Sequence, residues 1–153
     1  MQQDKQKEME LYYDELLNII LAEEKVGLVP TLKPKFIQCN YDELSLTIEF
    51  KVMDWQINPE KILFGGIIVS MIDCAYGFLC HYFAQEKFIS TIGINTVFLK
   101  PGMLDDIIRV KVKAISHGRT IINMTGEAFD ITQNKMLATS QTSFMILDKK
   151  VEL

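Results

Sequence analysis

The sequence predicts an α+β fold in which one curved antiparallel sheet wraps around a single long buried helix. Three observations predict it. Residues 62–83 are apolar on nearly every side apart from Asp73, so the helix they form must be covered on nearly every side. Every signal after that segment is strand. The connections between the last strands are hairpin-like and too short for the helical crossovers of a parallel sheet, which disfavours a doubly wound fold.

The elements follow in order. Residues 4–25 carry Met9, Leu11, Tyr12, Leu16, Leu17, Ile20 and Leu21 at mixed three- and four-residue steps between acids and amides, the pattern of an amphipathic surface helix. Gly27 and Pro30 end it, and a short loop follows. Over residues 35–53 the pattern changes to alternation, with Leu44, Leu46, Ile48 and Phe50 on one face and Ser45, Thr47, Glu49 and Lys51 on the other. That predicts two strands paired through a turn at residues 40–43. Residues 55–63 form a loop containing Asn58-Pro59, and Gly65-Gly66 opens the long helix, which runs to about Phe83. Apolar runs at 89–99, 107–115, 120–129 and 136–147 are separated by Pro101-Gly102, His117-Gly118 and residues 132–134, and predict an antiparallel meander. With no repeat, linker or low-complexity segment, residues 1–153 read as one domain: an N-terminal helix and loop over 1–30 and a core over 35–147.

Composition excludes several classes. With 16 Lys+Arg against 20 Asp+Glu, a net charge of −4 and no long basic block, the chain lacks the field that a nucleic-acid partner requires. A domain of this size buries about 68–70% of its unfolded surface, enough for a core without disulfides or a structural metal. Cys39, Cys74 and Cys80 match neither a zinc ribbon nor a disulfide framework, so reduced thiols in a cytoplasm are expected. Residues 1–7 are polar and carry no signal-peptide core. The 62–83 run is long enough to span a bilayer, but a carboxylate at its middle costs about 2.5–3.5 kcal/mol there, so a buried core helix is expected and no membrane partner.

The chemistry concentrates at the start of that helix. Asp73 is the one acidic side chain between Lys61 and Glu86, and a buried carboxylate is costly unless it is satisfied or used. Gly65 and Gly66 have no Cβ, and N–H groups at a helix start have no partner within the helix, so a ligand carbonyl can approach them closely. Asp73 lies about two turns in, about 10 Å along the axis. A carbonyl polarised at the glycines would then stand within reach of a carboxylate that attacks it or activates water.

The stretch from Asn58-Pro59 through Phe64-Gly65-Gly66 to Asp73-Cys74-Ala75-Tyr76-Gly77 resembles the hotdog-fold acyl-coenzyme A thioesterases, particularly the phenylacetate-pathway type. That group shows Asn, six residues later His-Gly-Gly, and an acid eight residues after the first glycine. Thr91, the Lys100-Pro101 turn and Gly118-Arg119 resemble further features of the group, and the resemblance covers about residues 35–147. It implies a hotdog fold and thioester hydrolysis with no metal or redox cofactor, coenzyme A being part of the substrate. Asp73 would be nucleophile or general base, Gly65 (with Gly66) would polarise the carbonyl, Asn58 would orient the thioester or water, and Thr91 would help to position that water. It also implies a site shared between the subunits of a homodimer, often paired into a homotetramer. The family's His is replaced here by Phe64, which neither donates a hydrogen bond nor takes a proton. A protein that binds an acyl ligand without cleaving it is therefore the alternative, with Phe64 lining the acyl pocket. A dehydratase ranks last, because it needs a His beside the acid.

Each candidate also has an ordinary structural role. Asp73 could be capped by Ser70, the glycines could be a tight turn, Asn58 is a common turn former and Thr91 a good strand residue. Met71, Tyr76 and Phe98 are candidate acyl-lining residues beside Phe64. Arg109, Lys111 and Lys113 share one strand face, and with Gly118-Arg119 could hold coenzyme A phosphates or simply be wet surface. Adjacent helical residues point about 100° apart, so Cys80 and His81 make no catalytic pair.

Overall fold

The computed structural model describes residues 1–22 and 26–150, with the side chain of Lys150 excepted. Helix α1 spans Gln2–Ala22, a short α2 spans Leu28–Leu32, and α3 spans Gly65–Ala84. The strands are β1 (Lys35–Asn40), β2 (Ser45–Lys51), β3 (Lys87–Phe98), β4 (Ile107–His117), β5 (Ile121–Asp130) and β6 (Lys135–Lys150). They form one six-stranded sheet in the order β1-β2-β4-β5-β6-β3, antiparallel throughout.

The sheet curls around α3 as expected. Met71, Ile72, Ala75, Tyr76 and Leu79 of α3 are fully buried together with Ile48 of β2, Val110 and Val112 of β4, and Ala128 and Ala138 of β5 and β6. Each large aliphatic side chain removed from water there contributes about 1.5–3 kcal/mol. By length and composition α3 is also apolar enough to cross a membrane, yet half of its 20 residues are buried within the protein. Helix α1 closes the other flank: Met9, Tyr13 and Leu17, spaced four apart, are its buried residues, and the Tyr13 hydroxyl donates to the Phe78 carbonyl at 3.3 Å.

The predicted N-terminal helix is present through Ala22, and the last residues assigned to it, 23–25, lie outside the described residues. Two expectations need correction. The loop after it contains α2, with Pro30 in its first turn, where the missing N–H costs no hydrogen bond. The meander holds only for β4, β5 and β6. Strand β3 pairs with β6 at the far edge, so the segment containing Pro101-Gly102 is a crossover rather than a hairpin.

The crossover packs down on the segments it passes: Leu99 N–H donates to Leu137 O at 2.8 Å, Leu63 N–H to Gly102 O at 2.8 Å, and Asp105 N–H to Val52 O at 3.1 Å. A Cβ on Gly102 would stand 3.1 Å from Leu137 and 3.3 Å from Leu63, so glycine serves a close crossing there. The β3–β6 register shifts between Thr91 and Gly93, leaving Ile92 as an extra residue. Thr91 pairs with buried Phe144, and Phe98 with buried Ala138. Seven positions apart, the two would point to opposite faces of a regular strand; the bulge turns both toward α3.

Candidate active site

The loop before α3 is shaped by Asn58. Its Oδ1 accepts from the N–H groups of Glu60 at 3.0 Å and Ile62 at 3.2 Å, folding the segment into a compact turn. Phe64 N–H then donates to Gln56 O at 2.9 Å, which fixes where the helix begins. No side chain caps α3, and Ile67 N–H returns to Phe64 O at 2.9 Å. The Gly65 and Gly66 N–H groups, at the first helical positions, have no partner among the described residues. Two aromatic rings flank them. A Cβ on Gly66 would stand 2.7 Å from the Phe64 ring, and one on Gly65 would stand 3.3 Å from the Phe98 ring. Both phenylalanines are more than half exposed. The residues named at sequence level as acyl-lining, Phe64 and Phe98, thus wall the helix start.

Asp73 stands further along α3, half-buried, with its Oδ1 accepting from the Thr91 hydroxyl at 3.0 Å. Burial raises its pKa above the usual carboxylate value, and the Thr91 hydrogen bond pulls part of the way back. Eight residues separate Asp73 from Gly65, about 12 Å along the axis. Within one protomer the carboxylate and the glycine N–H groups thus stand about two turns apart on one helix.

Asp73 lies in a cleft of about 300 Å³ between α3, α2 and β3, lined also by Ser70, Gly77, His81 and Thr91. Ser70 does not cap the carboxylate; its hydroxyl donates to Gly66 O at 2.8 Å. The residue that sequence reasoning missed is His81. It stands eight positions after Asp73, about 80° away around the helix, so both reach the same cleft. The signal was the step of three, four and four residues from Ser70 through Asp73 and Gly77 to His81.

Other candidates lie elsewhere. Tyr76 is fully buried against the sheet: a Cβ on Gly126 would stand 2.8 Å from its hydroxyl, which lies near Ser140 without a partner at hydrogen-bonding geometry. It offers no surface to a ligand, and Met71 is likewise fully buried. Gly118 and Arg119 sit on the β4–β5 hairpin, where neighbouring His117 stacks on Phe83 at 4.8 Å. That is the C-terminal end of α3, remote from Gly65. Of the basic stripe, Arg109 is paired with Glu49 at 3.0 Å and Lys111 with Glu43 at 3.4 Å. Cys39, Cys74 and Cys80 are buried free thiols, and burial pushes Cys74 and Cys80 up to about 12, so neither is a thiolate nucleophile at neutral pH.

The family model described as Thioesterase superfamily matches residues 60–137, half of the chain. The chain belongs to the thioesterase superfamily. Among solved structures, this superfamily member is similar to a putative thioesterase of Ralstonia eutropha described as phenylacetic acid degradation-related, with 23% identity and a TM-score of 0.73 over 84% of this chain and 96% of that one. It is similar to the E. coli PaaI protein of the phenylacetic acid degradation operon, with 18% identity and a TM-score of 0.75 over 92% and 98% of the two chains. A hypothetical thioesterase of Streptococcus pneumoniae, solved with coenzyme A, matches at 16% identity and a TM-score of 0.67 over 77% and 88%. At these identities the structures establish the fold, which is the hotdog fold with an added N-terminal helix. No curated protein sequence matches the chain.

Proposed function

We propose that the protein hydrolyses acyl-coenzyme A thioesters, with the Asp73 carboxylate as general base. One observation carries the reading: the sole carboxylate of α3 is half-buried in a cleft, is held by Thr91 and has a raised pKa. Oδ1 accepts from Thr91, and Oδ2 remains to take a proton from water. That water attacks the thioester carbon, the carbon–sulfur bond breaks, and the thiolate leaves with the proton, giving free acid and coenzyme A. The N–H groups of Gly65 and Gly66 stabilise the developing oxyanion. Superfamily membership supports the class of reaction, and coenzyme A or acetyl-coenzyme A bound to similar structures supports the carrier.

The axial separation of Gly65 from Asp73 suits a site completed by a second protomer, so in this reading Asp73 of one subunit faces the glycines of its partner. Strand β3 supports such an assembly. It is an edge strand with no charged residue and no proline from Phe88 to Phe98, and Phe88, Ile92, Val97 and Phe98 are exposed along it. An edge of that kind pairs readily with another strand. The functional unit is then a homodimer, further paired into a homotetramer, with each chain acting as one cytoplasmic hotdog domain. The chemistry calls for no metal or redox cofactor, and Arg119 would meet coenzyme A phosphate.

The test is thiol release from short, medium, long and aryl acyl-coenzyme A by wild type and Asp73→Asn. Turnover lost in the variant supports the reading. Binding of acyl-coenzyme A without turnover in either protein replaces it with a non-catalytic acyl-binding protein, the reading favoured by Phe64 where the family has His.

A further inference from the structure

Ser70, Asp73, Gly77 and His81 form one stripe of α3 facing the same cleft. The midpoint of that stripe is open: a Cβ on Gly77 would meet no atom within 4 Å. The walls opposite are apolar, supplied by Leu28, Val29 and Leu32 of α2 and by Ile89 of β3. At the end away from Asp73 stands the His81 imidazole, half-buried and without a hydrogen-bond partner among the described residues. Burial lowers its pKa below the ordinary value, so at neutral pH it is a neutral ring with one donor and one acceptor. The cleft is thus a largely apolar trough with a carboxylate at one end and, at the other, an imidazole that has no protein partner among the described residues, about 12 Å apart along the axis.

We infer that the substrate's acyl group lies in this trough over Gly77 and that His81 hydrogen-bonds a hydroxyl or oxo group at the acyl chain's far end. The inference rests on the acyl-coenzyme A reading and adds a substrate class: medium-length acyl groups with a distal hydrogen-bonding group. A plain alkyl chain of the same length would cover the imidazole without satisfying it, which is the arrangement by which a polar site rejects an analogue lacking the polar group. A short acyl group would not reach His81.

Calorimetric titration of the full-length protein with non-hydrolysable thioether analogues of octanoyl- and ω-hydroxyoctanoyl-coenzyme A tests this without requiring turnover. Wild type is expected to bind the hydroxylated analogue about tenfold more tightly, the worth of roughly one satisfied hydrogen bond. His81→Leu removes that preference, and His81→Gln, which still offers a donor and an acceptor, retains part of it. Gly77→Leu fills the trough and weakens both octanoyl analogues relative to the acetyl analogue. Equal binding of the pair by wild type, or a preference that survives His81→Leu, overturns the inference while leaving the thioesterase reading intact. If no analogue binds, both fall.

Discussion

The Thr91 hydroxyl donates to Asp73 Oδ1 at 3.0 Å, across the gap between β3 and α3. The contact faces the same side of the sheet as Phe98 because of the extra residue at Ile92 in the β3–β6 ladder. One bulge therefore serves both ends of α3's functional stretch, placing a hydroxyl on the carboxylate and an aromatic ring over Gly65. Bulges that re-aim side chains in this way are over-represented beside active sites.

Thr91→Val keeps the shape and removes the hydrogen bond. Because that bond lowers the Asp73 pKa against the larger raising effect of burial, its loss raises the pKa further. A general base must be ionised, so the acid limb of kcat/KM moves to higher pH, and kcat/KM falls by about two- to tenfold for a bond worth about 0.5–1.5 kcal/mol. A pH–rate profile of the two proteins checks this, and superimposable profiles would contradict it.

The same burial has a consequence for stability. Folded Asp73 keeps its proton to higher pH than the unfolded chain does, so stability is lost as pH rises from the usual carboxylate range through the raised value. At neutral pH the ionised carboxylate is a cost to folding. Asp73→Asn is expected to melt at the wild-type temperature or above it in a calorimetric scan at neutral pH; a clear drop would show that the charge is compensated in the fold.

Tyr76→Phe deletes a buried hydroxyl that has no partner at hydrogen-bonding geometry and whose pKa burial pushes up to about 12, with Ser140 offsetting part of the shift. Removing it is expected to stabilise by up to about 1 kcal/mol, or about 2–4 °C. Thiol release should be unchanged, since Tyr76 has no surface on the cleft. A fall in turnover with the melting temperature preserved would return Tyr76 to the site.

Val97→Lys places a charge on the exposed edge strand. Wild type is expected to elute from size exclusion as a dimer or tetramer, and the variant as a monomer that has lost turnover in parallel. A variant that is monomeric and fully active would show that one protomer suffices.

The sequence made α3, the hairpin before it and four later strands legible because each is written in local periodicity: near-continuous apolarity for the core helix, alternation for the sheet. The position of β3 was not legible. Which strand it joins is decided by long-range pairing, and Pro101-Gly102 carries the same residues whether it turns a hairpin or passes closely over Leu63 and Leu137. Asp73 and Thr91 could be named one by one from spacing and resemblance, but their contact depends on a bulge that no residue type announces. His81 was legible in principle from its helical step to Asp73. Its adjacency to Cys80 is the more conspicuous pattern, and only the placement of α2 over Gly77 shows that a cleft connects the two.

The most direct measurement is thiol release from a medium-chain acyl-coenzyme A, run as a pH series on wild type and Asp73→Asn with acyl-coenzyme A binding measured on both. The account predicts turnover by wild type with an acid limb above the usual carboxylate range, and a loss of about 10²–10⁴-fold in Asp73→Asn with binding retained. Comparable turnover by the two proteins would contradict it, because the carboxylate on α3 would then have no part in the chemistry.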